Sequence, residues 1–248
     1  MLVATLGLGA LAGGCGGAAD SGRTAASATT ATTTAATATT VAPTTTAASS
    51  ANGPIPRALR AAESDAEDTI DLALAGRRAR VVAKAEALRA VADGAAGAAL
   101  RSAGVSGAEI AEFRARAAEV ARLAPAASLI DVALASNRAF ALMPAFFAHY
   151  DSPIPPAVTS LDHLDFEAKL QARAGHVAAI HPAVAQLERT WASLRPDVVA
   201  AGGKRVATRF DAHVARMEQL AARGGRAAAR EAQRGLDLVD EIEAVYEH

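Results

Sequence analysis

From about residue 57 onward, the apolar residues recur at alternating spacings of three and four positions. This period places them on one face of a helix, and no segment shows the period-two alternation that predicts a strand. We therefore predict an all-α fold. Residues 57–248 are expected to form an antiparallel helical bundle of about five to six helices.

Glycine and a capping sequence delimit the first two helical regions. The first region covers residues 57–93, with an interruption expected near Gly76 and an end at Gly94. The second region begins after Ser106, because Ser106 and Glu109 have the spacing of a capping box.

Proline delimits the next two helices. The third helix follows Pro125 and should bend at Pro144, since proline removes a backbone hydrogen bond. Residues 152–156, Ser-Pro-Ile-Pro-Pro, predict an extended connection. The fourth helix is expected to begin at about Ala157 and to be bent or divided at Pro182.

The fourth helix has the longest apolar face in the chain, and this length predicts packing against antiparallel partners. Glycine pairs at 202–203 and 224–225 then separate a fifth and a sixth helix. The fourth face consists of His163, Phe166, Leu170, Arg173, Val177, Ile180, Val184, Leu187, Trp191 and Leu194. The fifth consists of Val206, Phe210, His213, Met217 and Leu220.

Residues 1–14 are apolar, small and uncharged, and they lead directly to Cys15, the only cysteine of the chain. They are too few to span a bilayer, which takes about 20 residues, but they suit the apolar core of a signal peptide. With the sequence Ala12-Gly13-Gly14-Cys15, this segment resembles the signal and lipobox of bacterial lipoproteins. The resemblance implies removal of residues 1–14, lipidation of Cys15, and anchoring to the cell membrane or outer membrane, facing the periplasm or the cell exterior.

No charged residue occurs between Thr24 and Pro56, where alanine, threonine and serine dominate. Such a composition offers few large apolar groups for a core, and threonine disfavours helix. We therefore predict that residues 15–56 form a disordered linker between the lipid anchor and the bundle.

The amino-acid composition excludes some classes of protein. Of the 248 residues, 51% are hydrophobic and 21% are charged, and the formal net charge is −1. The single cysteine excludes a disulfide scaffold, and the charge balance argues against a nucleic-acid partner. The expected partners are a membrane, through the anchor, and an envelope protein.

Several familiar sites of catalysis and metal binding are absent from the sequence. It contains no Glu-x-x-His pair, no His-Glu-x-x-His run and no phosphate-binding Gly-x-x-x-x-Gly-Lys loop. We therefore expect no cofactor and no enzymatic activity. The sequence predicts a lipid-anchored extracytoplasmic protein with a binding or structural role at the cell envelope.

Two pairs of polar residues on apolar faces suggest an alternative. His163 and Glu167 lie one helical turn apart, and His213 and Met217 have the same spacing. Imidazole and thioether are ligands suited to copper or haem, so the alternative function is a metal- or haem-binding redox bundle. The ordinary interpretation of each histidine is a core or rim residue with one hydrogen bond.

Charged residues of the fourth and sixth helices are further candidates for a structural or functional role. Arg173 lies on an apolar face, and a buried arginine requires a carboxylate, for which Asp131, Asp237 and Asp240 are candidates. An arginine at the bundle edge with its charge in solvent is equally open. The acidic residues between 237 and 243 are interpreted as a solvated outer face of the sixth helix.

Overall fold

The structure is a computed structural model that describes residues 52–247. Within this range the chain is helical with short connections, and its β-structure is limited to one isolated bridge between Pro54 and Asp151. The predicted all-α class is confirmed. The predicted signal segment, Cys15 and the linker as far as residue 51 lie outside the described residues.

The amino-terminal half forms a first bundle, in which α1, α2, α4 and α5 pack in a ring. Its large buried side chains include Phe113, Phe140 and Phe147. The helices are α1 (Arg57–Leu74), α2 (Arg78–Val91), α3 (Gly97–Ser102), α4 (Gly107–Leu123), α5 (Leu129–Phe140) and α6 (Met143–Phe147). A π-helical segment, Ala92–Ala96, joins α2 to α3.

The carboxyl-terminal half forms a second ring of four helices, in which each packs against the next and α10 closes on α7. They are α7 (Pro156–Ala174), α8 (Val177–Ala200), α9 (Lys204–Ala221) and α10 (Gly225–Tyr246). The two bundles meet where α5 packs on α7, and there the rings of Phe140 and Phe166 are 6.2 Å apart.

The helix count exceeds the predicted five to six because several expected helices are divided. The predicted fourth helix is a hairpin of α7 and α8 that turns at Gly175, whose φ of 78° is accessible mainly to glycine. The predicted helix is therefore divided at Gly175 and not at Pro182, which lies inside α8. The third helix ends at Phe140, because Pro144 sits in the first turn of α6.

The predicted boundaries of the first two helical regions are confirmed at Gly76 and Ser106 and differ at Gly94. Helix α1 ends just before Gly76, and Ser106 and Glu109 form the reciprocal capping box. Gly94 was expected to end the first region, but it only bends the chain, which continues into α3.

The folded part begins before residue 57. The Asn52 amide donates to the backbone oxygen of His149 over 3.0 Å, and the Asp151 amide donates to the Gly53 oxygen over 2.7 Å. Residues 52–56, assigned to the linker from the sequence, therefore pack on the connection between α6 and α7.

One segment is apolar enough to cross a membrane by composition alone. Residues Leu129–Phe147 have a mean hydropathy of 1.3 over this window, of which 56% is buried inside the fold. The chain is also interrupted there between α5 and α6. The segment thus comprises two helices of the first bundle, α5 and α6, whose apolar side chains contribute to its core.

Candidate ligand-binding cleft

A cleft of about 560 Å³ opens between α1 of the first bundle and α7 and α10 of the second. Among its lining residues, acids greatly outnumber bases, since Arg60 is the one basic residue. The acidic residues of the lining are Glu63, Glu67, Asp71, Asp162, Asp237, Asp240, Glu243 and Glu247. Helical geometry explains this concentration on α1, because Glu63, Glu67 and Asp71 follow one another at intervals of four.

Glu67 and Asp162 form the deepest acidic pair and share a hydrogen bond. Burial, together with neighbouring carboxylates, raises the pKa of Glu67 to about 7. Burial and the adjacent Glu67 raise the pKa of Asp162 well above its usual range. Burial and mutual repulsion therefore favour a proton shared between the two carboxyl groups.

The opposite wall repeats this pattern on α10. Burial, with added repulsion from Glu63 and Asp240, raises the pKa of Glu243 to about 7. Burial also raises the pKa of Glu63, although its 3.1 Å ion pair with Arg60 partly offsets the effect. The cleft thus concentrates more negative charge than its own base neutralises.

Apart from Gln233, the uncharged part of the lining is apolar. Ile154, Phe166 and Leu236 contribute side chains to the same cleft. The ammonium of Lys169 lies 5.1 Å from the centroid of the Phe166 ring, so a cation already occupies one face of this aromatic group. The cleft therefore offers carboxylates beside hydrocarbon surface.

A buried polar triad lies inside the second bundle. His213 Nε2 is 3.0 Å from Asp165 Oδ1, and His213 Nδ1 is 3.3 Å from Glu231 Oε1. The side chains of His213 and Asp165 have no exposed surface. Both ring nitrogens face carboxylate oxygens, an arrangement that favours the doubly protonated, cationic form of the imidazole.

The pKa values in the triad follow from burial and charge. Burial opposes the charged imidazole, but Asp165 and Glu231 together outweigh it and raise the pKa of His213. Burial raises the pKa of Asp165, and the attraction of His213 reduces that rise. The triad is therefore a buried ion cluster whose members depend on one another.

The four predicted metal ligands occupy separate surroundings. Glu167 accepts hydrogen bonds from Asn137 Nδ2 at 2.8 Å and Gln171 Nε2 at 2.7 Å. The ring of His163 lies edge-on to Phe140, while His213 belongs to the triad and Met217 is buried in the apolar core between α7, α8, α9 and α10.

No group of three or more His, Cys, Asp or Glu side chains suited to a metal ion occurs within residues 52–247. The structure does not bring the predicted ligands of α7 and α9 together at one point, because His163 faces the first bundle and His213 faces Asp165. Copper or haem binding by these residues stays a prediction.

The buried ion pair expected for Arg173 does not form. Arg173 is exposed at the end of α7, and none of the ion pairs among the described residues includes it. Arg173 is exposed because the chain turns at Gly175, so that the last turn of α7 lies at the edge of the bundle. Arg173 thus corresponds to the second predicted alternative, an arginine at the bundle edge with its charge in solvent.

The acidic side of α10 was interpreted as a solvated outer face, and Asp237 and Asp240 are indeed exposed, but the interpretation did not foresee that this side borders a cleft. Asp237, Asp240 and Glu243 line the cleft, whereas Glu241 pairs with Arg209 of α9 at 2.5 Å. Sequence reasoning missed the acids of α1 and Asp162 entirely. A signal existed, since like charges four residues apart on one helix cost stability and call for a reason.

The fold and the cleft together define an all-α protein of two helical bundles with an acidic cleft between them. Comparison with known proteins finds no matching family model, no similar curated protein and no similar solved structure. The function must therefore be argued from the cleft itself.

Proposed function

We propose that this chain is a lipid-anchored extracytoplasmic binding protein that takes small organic polycations, of the polyamine class, into the acidic cleft. The observation that carries the proposal is the grouping of acidic side chains from α1, α7 and α10 around one volume, with Arg60 as the one base of the lining. Burial, with added repulsion from neighbouring carboxylates, raises the pKa values of Glu67 and Glu243, and a cationic ligand would offset both effects.

The dimensions and lining favour an organic cation over a bare metal ion. The volume of about 560 Å³ lies within the range of small-molecule sites. A polyamine alternates ammonium groups with methylene segments, which match the carboxylates and the apolar surfaces of Phe166 and Leu236. Within the described range, by contrast, no three-ligand group suited to a metal ion is present.

The proposal predicts that spermidine binds the full-length protein and that a double variant, Glu67→Gln with Glu243→Gln, binds it at least about tenfold more weakly. Both carboxylates face the cleft, so their neutralisation removes two attractions for ammonium groups. Isothermal titration calorimetry measures the two dissociation constants. The matched control is Glu188→Gln with Glu218→Gln, two exposed acids of α8 and α9, which should leave the affinity within about twofold.

The same titration has a predicted pH dependence. Since the pKa values of Glu67 and Glu243 are about 7, both carboxyls gain negative charge as the pH rises through neutrality. Affinity should therefore increase from about pH 5.5 to about pH 8 and then level off. An affinity that is unchanged in the cleft variant, or that falls as the pH rises, contradicts the proposal.

The membrane anchor has its own test. If Cys15 is lipidated, the protein should partition into the detergent phase, and Cys15→Ala should move it to the aqueous phase. Phase separation of cell extracts, followed by immunoblotting, measures this distribution. Equal partitioning of the two proteins contradicts the anchor and leaves the cleft proposal untouched.

A further inference from the structure

A second pocket, of opposite charge, lies next to the acidic cleft along α7 and α10. Its lining contains four basic side chains and no carboxylate: Lys169, Arg173, Arg226 and Arg230. Small residues of the lining, Ala172, Gly225 and Ala229, leave a volume of about 660 Å³. Gln233 lines both this pocket and the cleft, so the two sites are neighbours.

Lys169 is the unusual member of this group. Only 5% of its surface is exposed, and no acidic oxygen of the described residues pairs with its ammonium. Burial lowers the pKa of Lys169, because the charged form loses its hydration. Asp71, Asp162 and Asp237 attract the ammonium, but none of them lies within ion-pair distance, so Lys169 forms no direct salt bridge with the described residues.

The three arginines strengthen this conclusion. None of the ion pairs formed by residues 52–247 includes Arg173, Arg226 or Arg230. Some exposed bases elsewhere in the described range pair with acids, as Arg209 does with Glu241, and others, such as Arg101 and Arg205, do not. What distinguishes the three arginines is that they line one pocket together with Lys169 and without a carboxylate. The basic pocket thus keeps its guanidinium groups available for an external anion.

The amino-terminal end of α10 adds to the positive potential of the basic pocket. This 22-residue helix begins at Gly225 in the pocket, and its N-cap, Gly224, provides no side-chain cap. Uncapped N–H groups and the helix dipole favour an anion at this position. Guanidinium groups match tetrahedral oxyanions of high charge through paired N–H donors.

We propose that the basic pocket of Lys169, Arg173, Arg226 and Arg230 binds a phosphate-type anion, either free or in a lipid headgroup. This inference does not depend on polyamine binding in the acidic cleft. The cleft variant with Glu67→Gln and Glu243→Gln should therefore still bind phosphate.

The test titrates the full-length protein with inorganic phosphate. Vesicles of phosphatidylglycerol are compared with vesicles of phosphatidylcholine in the Cys15→Ala background, so that no lipid anchor contributes to vesicle binding. The wild type should bind at least one of the two anionic probes, and the variant Arg226→Ala with Arg230→Ala should bind it at least about tenfold more weakly. Binding to phosphate assigns a free anion, and a preference for phosphatidylglycerol vesicles alone assigns a headgroup.

The matched control is Arg101→Ala with Arg205→Ala, which removes the same charge from exposed positions of α3 and α9. This control should bind as the wild type does. Absence of binding to both probes, or equal weakening in the control, overturns the proposal.

A second variant separates binding from folding. Lys169→Met keeps the length of the side chain and removes its charge, and a cooperative thermal transition of the variant without ligand shows that it folds. The bound probe should raise the melting temperature of the wild type and not that of Lys169→Met. An equal rise in both proteins overturns the role of Lys169.

Discussion

Replacing His213 by alanine is expected to destabilise the fold by about 3–5 kcal/mol. The substitution leaves the Asp165 carboxyl, which has no exposed surface, without the cation 3.0 Å away. It also deprives Glu231 of its 3.3 Å contact with the ring. Urea unfolding at neutral pH, followed by circular dichroism, measures the loss of free energy.

A double-mutant cycle distinguishes the ion cluster from simple loss of side-chain volume. Asp165→Ala with His213→Ala removes both charges, so it should lose less free energy than the two single variants added together. The expected coupling is about 1–3 kcal/mol. Strictly additive losses would show that Asp165 and His213 do not act as a pair.

The second large effect is expected at Gly235 of α10, where alanine should destabilise by about 1–3 kcal/mol or more. A Cβ atom there would lie 2.5 Å from His213 Nε2 and closer still to Asp165 Oδ2. These atoms are buried and held by their hydrogen bond, so neither can move away freely. Thermal or urea denaturation of the variant measures the effect.

Gly107 supplies the control, because a Cβ atom at that position meets no other atom within 4 Å. It is the first residue of α4, and Gly107→Ala should stabilise slightly or leave stability within about 1 kcal/mol of the wild type. If Gly235→Ala were as well tolerated as Gly107→Ala, α10 would not approach the triad as closely as described.

The sequence predicts local structure well wherever a single helix determines the outcome. The face of the fifth helix is buried as predicted, including His213 at 1% exposure and Met217 at 0%. The capping box at Ser106 is confirmed for the same reason, since it depends only on residues four positions apart at most.

The hairpin between α7 and α8 shows why one boundary was missed. The three-and-four spacing continues across the turn from Leu170 through Arg173 and Val177 to Ile180, so periodicity alone indicates one helix. The exposure of Arg173 and Val177 reveals the turn, because the members of the face on either side of it are buried. Gly175 was the available signal.

The site depended on information that no local pattern contains. His213 meets Asp165 across 48 residues of chain, and the acids of α1 meet those of α10 only because the two bundles pack together. Periodicity places each carboxylate on a face but does not say which other face lies opposite. The exposed acids of α10 were therefore predicted without the cleft that they border.

Acidic and basic lining residues lie on either side of Gln233, so opposite charges are separated locally on this face although the formal net charge is only −1. Separated charges of opposite sign experience a torque near a charged surface. At an anionic bilayer, the Arg226 side would turn toward the lipid and the Glu67 side away from it. The opening of the acidic cleft would then point outward.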